Sequence, residues 1–198
     1  MEPTARQVEA SRCPVEAAPG VLVHPGADRR LAAEHWLLST LTDHARTRAR
    51  EEWTAYGLAV LPMGTLMSAV RLPARLVLAV ARGRFPSGEV DRFLGEAFED
   101  GPVICDPNGR RYYALVPASV PRTWTAALEE WQSQDVDCLG RGTYLGVPRL
   151  DITRHDERRA SYWSVPMSSA AELCPPLAVA RLIAAGAHLL AEEADTDA

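Results

Sequence analysis

Asp135 and Asp137 stand at alternate positions, which puts both carboxylates on one side of an extended chain, an arrangement that can hold a hard divalent cation. The same pair is also a common polar pattern. His155 lies between Arg154 and Asp156, where a loop imidazole could ligate a metal or exchange a proton. His24, His35, His44 and His188 show no matching spacing, which favours plain surface polarity for it. Trp124, Trp131 and Trp163 could stack on bases, but their helical or strand spacing reads as core. Gly140, Gly142 and Gly146 form a run one residue too long for a dinucleotide loop, and it precedes a strand where a helix is required. The sequence has no Gly-x-Ser-x-Gly elbow and no His-Glu-x-x-His. The phosphate loop needs a lysine, and the chain has none.

The elements that must position these residues are readable from periodicity and punctuation. Leu31, Leu38, Leu41 and Ala45 predict an amphipathic helix that Asp28 can cap, broken near Thr40 to Asp43 and ended by Gly57. Leu58 to Met63 reads as a buried strand between two glycines, and Arg75 to Ala81 fits strand or helix equally. Val90 to Glu99 predicts a helix. Val103 to Cys105 and Tyr112 to Val116 flank Asp106-Pro107-Asn108-Gly109, a strong hairpin turn. Pro121 opens a helix through Trp131, Thr143 to Val147 and Ala160 to Val165 read as strands, and Leu177 to Glu192 as a closing helix. Strand pairs interleaved with single helices predict a mixed α/β (α+β) fold with a partly antiparallel sheet and packed helices.

The expected organisation is a flexible N-terminal arm over residues 1–27, a single domain over 28–192 and a disordered acidic tail over 193–198. At 198 residues and 47% hydrophobic content one domain can bury its own core without a metal or disulfide. Cys13, Cys105, Cys138 and Cys174 lack redox or metal spacing and read as reduced thiols of a cytoplasmic protein. The most apolar segment, Leu173 to Leu190, is broken by prolines and charges, so no membrane partner is expected. A net charge of −5 argues against a non-specific duplex binder while allowing a local arginine pocket.

The segment from Val136 through Asp137, Cys138, Leu139, Gly140, Arg141, Gly142, Thr143, Tyr144, Leu145, Gly146 and Val147 to Pro148, followed by Ser161-Tyr162-Trp163, resembles a stretch of the bifunctional DNA primase/polymerase (prim-pol) family. That family belongs to the archaeo-eukaryotic primase superfamily. Leu61 to Val70, with Leu72-Pro73 after it, looks like the family's first motif in its actinobacterial branch. Arg110 to Pro117 looks like the second. The likeness spans roughly Trp53 to Ala184. It implies a two-layer primase/polymerase-like fold whose sheet carries the active site, a role in DNA replication, and magnesium or manganese with nucleoside triphosphate on a template strand.

The departures from that pattern are informative. Active members carry two acids at alternate positions of the first motif, to clamp two cations; the equivalent positions are Ser68 and Val70. Arg111 stands where the second motif offers a histidine to the triphosphate, and it can still hold phosphate bidentately. Asp137 remains as the third motif's acid and the one weak metal candidate. The resemblance thus implies a degenerate active site in a non-catalytic domain that binds a nucleotide or single-stranded nucleic acid through Arg111, Arg141 and Arg149 near Asp137. Two alternatives stay open. One is a regulatory module with a collapsed pocket and a protein partner. The other is a residual DNA primase/polymerase or nucleotidyltransferase, with carboxylates recruited from positions such as Asp106 or Asp135.

Overall fold

The computed structural model describes residues 15–18, 21–23 and 25–196. Of the expected arm, β1 (Val15–Ala18) and β2 (Val21–Val23) pair antiparallel, and residues 25–27 already open a helix. The rest of the arm, with Cys13, lies outside the described residues.

Helices α1 (Pro25–Leu38) and α2 (Asp43–Tyr56) are the two halves of the expected broken helix, and Gly57 ends α2 in the left-handed region at φ 72°. The chain continues through β3 (Leu58–Pro62), β4 (Met67–Pro73), α3 (Ala74–Ala81), α4 (Gly88–Ala97), β5 (Val103–Asp106) and β6 (Arg111–Pro117). Ser87 caps α4 by accepting a hydrogen bond from the Val90 N–H at 3.3 Å. The ambiguous segment after Arg75 is helical as α3. The helix expected from Pro121 is split at Trp124 into α5 (Val120–Thr123) and α6 (Thr125–Trp131). Then follow β7 (Asp137–Leu139), β8 (Tyr144–Pro148), β9 (Tyr162–Val165) and α7 (Pro176–Thr196). Residues 193–196 of the expected disordered tail continue α7, because Glu192 and Glu193 prolong the helix without a breaker.

Five strands form one sheet in the order β7-β4-β6-β5-β9, with every neighbouring pair antiparallel. Its first four members have the order and connectivity of a split β-α-β-β-α-β unit, in which each helical crossover skips the strand that fills the gap. β3 and β8 pair separately, from Leu58↔Pro148 to Pro62↔Tyr144.

Alternation along the strands divides the interior in two. Val70, Leu72, Val103, Cys105, Tyr112, Ala114 and Val116 pack against α3, α4 and α7. On the opposite face Met67, Ala69, Ile104, Leu115 and Trp163 meet Leu61 and Val147 of the β3–β8 ladder and Leu37 and Trp53 of the first two helices. Two indoles tie that ladder down. Trp53 donates from Nε1 to the Val147 carbonyl at 2.9 Å and Trp163 to the Pro148 carbonyl at 3.0 Å.

Candidate functional site

Residues directly opposed in an antiparallel sheet share a face. The register therefore draws one row across all five strands: Trp163, Ile104, Tyr113, Arg71 and Asp137. A second row on the same face joins Asp106 to Arg111 and Arg111 to Pro73. The Trp163 and Ile104 end of the first row is buried under the ladder, while Tyr113, Arg71 and Asp137 are half-buried. A charged patch results. Asp137 accepts a hydrogen bond from Arg71 Nη2, Asp135 lies 2.8 Å from Arg111 Nη2, and Asp135 also comes within 3.9 Å of Arg71. Asp135 reaches this position because its backbone turns left-handed, at φ 62°, after the 3₁₀ turn Gln132–Gln134. The Tyr113 hydroxyl feels the same charges: burial pushes its pKa up, Asp106 adds to the rise, and Arg71 and Arg111 oppose it.

The structure brings together Arg111, Asp135 and Asp137 and leaves the other expected residues apart. Ser68 and Val70 lie on the opposite face of β4. Val70 is opposed by Ala114 and Cys138 inside the helix-side core, and Ser68 is fully buried opposite Val116. Burial there pushes the Cys138 thiol up to about 11. The three expected motif positions therefore do not converge, and an acid at 68 or 70 would face away from Asp137. The two carboxylates that do converge are held by arginines, and among the described residues no group of three His, Cys, Asp or Glu side chains could hold a metal ion. These residues do not fit a two-cation centre.

The expected grouping of Arg111, Arg141 and Arg149 is corrected as well. Arg141 sits in the turn after β7, against Gly64, whose φ of 83° and lack of a side chain let the two backbones meet; a Cβ there would fall 2.2 Å from the Arg141 nitrogen. That turn lies at the Met67–Pro117 end of the sheet, and six residues of β6 separate this end from Arg111, about 20 Å at strand rise. Arg149 holds Asp151 with two bonds of 2.6 and 2.8 Å, and this contact lowers the Asp151 carboxyl below its usual range. It lines a separate cavity of about 340 Å³ with Arg30, Glu34 and Trp53. Asp137, the weak metal candidate, is instead paired with Arg71. Arg71 escaped sequence reasoning; its signal was a lone charge inside an otherwise apolar strand.

A second polar cluster lies on the helix side. Asp91 of α4 accepts hydrogen bonds from the Tyr162 hydroxyl, at 3.1 and 3.2 Å, and from the Ser164 hydroxyl, while the His155 ring packs on Tyr162 at 5.9 Å between centroids. His155 thus packs on the tyrosine of this network. Burial raises the Asp91 carboxyl more than its two donors and the His155 charge lower it. A carboxyl raised on folding contributes stability that is complete below its unfolded value, near 3.9, and lost as pH climbs through the folded value. The melting temperature of Asp91→Asn minus that of the parent should therefore grow as pH is raised from about 3.5 to 7. Thermal melts across that range check it, and a constant difference would refute it.

Compared with family models, curated proteins and solved structures, the chain matches none of them. Among the described residues no helix is long and apolar enough to cross a membrane.

Proposed function

We propose that this protein binds a nucleotide, free or within a single strand, without turning it over, at the open end of the five-stranded sheet. The carrying observation is that Tyr113 shares one sheet face with Arg71, its partner across the strands, and with Arg111, two residues along β6, an aromatic side chain for a base beside cations for phosphate. The prim-pol resemblance supports this reading at Arg111 and Asp137. Serine and valine at positions 68 and 70 support the absence of polymerase chemistry, since neither side chain can clamp the metals that in-line phosphoryl transfer needs. The free thiols of Cys105, Cys138 and Cys174 support a cytoplasmic setting.

Asp135 and Asp137 balance the two arginines, so an incoming phosphate must displace them. A nucleoside triphosphate at 100 times its dissociation constant should stabilise the protein by about 2.7 kcal/mol. Arg71→Ala with Arg111→Ala should abolish that shift, and Asp135→Asn should enlarge it. Differential scanning fluorimetry with the four ribonucleoside triphosphates reads both, and absence of any shift would sink the proposal.

A second reading, docking of a protein partner, is favoured by Val60 and Tyr144. They lie 55% and 67% exposed on the paired strands β3 and β8.

A further inference from the structure

The cavity of about 340 Å³ that Arg149 lines falls within the size range of small-molecule sites, roughly 300 to 1,000 Å³. One wall is a stripe of α1, where Ala27, Arg30, Leu31 and Glu34 recur at helical spacing and so share a face. Arg149, Leu150 and Asp151, just past the end of β8, line it as well, and Trp53 brings its buried indole. The lining has an apolar part and a charged part. Leu31 is 51% exposed, whereas Leu38, two turns along the same helix, is fully buried. Leu31 thus meets the cavity instead of the core, and covering it would remove apolar surface from water. Of the charges, Glu34 is taken by Arg50 at 3.0 Å, and Asp151 by both bonds from Arg149. The Arg30 guanidinium has no hydrogen bond or ion pair among the described residues, although its charge helps hold the Asp151 carboxyl low. One positive charge is therefore left in excess beside an exposed leucine.

We propose that this cavity binds a small organic monoanion, a carboxylate on a compact apolar body, with the carboxylate paired to Arg30 and the body against Leu31 and Leu150. A planar guanidinium can meet a carboxylate with two parallel bonds. A nucleoside triphosphate does not suit the site, because its several negative charges would face Glu34 and Asp151 with a single free cation to balance them. The proposal is thus independent of the nucleotide reading at Arg71, Tyr113 and Arg111.

Isothermal titration calorimetry of the full chain with benzoate and with neutral benzamide tests it. Benzoate should bind at least about tenfold more tightly, the scale of a hydrogen bond to a charged group. Arg30→Gln should remove that difference, and Leu31→Ser should weaken both ligands. Both side chains are exposed, so neither change disturbs the core. Arg71→Ala with Arg111→Ala should leave benzoate binding intact. No benzoate binding up to about 10 mM, weaker than a fitted ligand of this size should be, would overturn the proposal. Equal binding of benzoate and benzamide, or a preference that survives Arg30→Gln, would overturn it too. Loss of benzoate binding in the Arg71→Ala, Arg111→Ala variant would move the anion to the sheet and overturn it as well.

Discussion

Acids introduced at positions 68 and 70 should unfold the protein rather than give it a metal site. In the resembling family those positions carry the metal-binding carboxylates, so Ser68→Asp with Val70→Asp looks on paper like a restoration. The register directs both side chains into the helix-side core, among Ala114, Val116 and Cys138, away from Asp137. Each new carboxylate would be buried without a cation, a hydrogen-bond donor or water. An unpaired buried charge costs several kcal/mol, of the same order as a domain's whole stability of about 5 to 15 kcal/mol. Circular dichroism should show a largely unfolded chain at neutral pH, with partial recovery in acid as the carboxyls protonate. A folded double variant that binds manganese would reverse the face assignment of β4 and reopen the polymerase reading.

Trp163→Ala should cost about 3 to 5 kcal/mol, read as a fall in the urea midpoint. The indole is fully buried at the centre of the second core, and its Nε1 donor satisfies the Pro148 carbonyl at 3.0 Å. Removing it leaves a cavity and an unpaired carbonyl together. Trp163→Phe keeps most of the ring and loses the donor, so its expected cost is smaller, about 1 to 3 kcal/mol. Equal losses for the two variants would assign the effect to the hydrogen bond and not to packing.

Local chemistry explains which parts of this molecule could be read in advance. Asp106-Pro107-Asn108-Gly109 encodes its turn by itself, and Gly57 marks its helix end through the one backbone region glycine favours, so both elements stand where expected. β4 is different. It is buried on both faces along nearly all its length, which removes the alternation that reveals a strand, so only the motif resemblance pointed to it. Arg75 to Ala81 fits either period until the core accepts Leu76 and Val77 from a helix. Of the candidate site, the alternate spacing picked out Asp135 and Asp137, and the motif resemblance picked out Arg111. Arg71, Tyr113 and the separation of Arg141 and Arg149 depend on strand order and register, which no local pattern carries.

The pairing of β3 with β8 has a kinetic consequence. The two strands bracket the entire split β-α-β-β-α-β unit, so Pro62 cannot reach Tyr144 until the chain between them has been drawn together, and closing so long a loop from an unfolded coil is entropically slow. Once β4, β6, β5 and β7 have assembled, Gly64 and Arg141 stand side by side and the same closure becomes local. The ladder is thus a late-forming clasp. Removal of the Trp53 or Trp163 hydrogen bond should mainly speed its opening and leave the rate of sheet formation nearly unchanged.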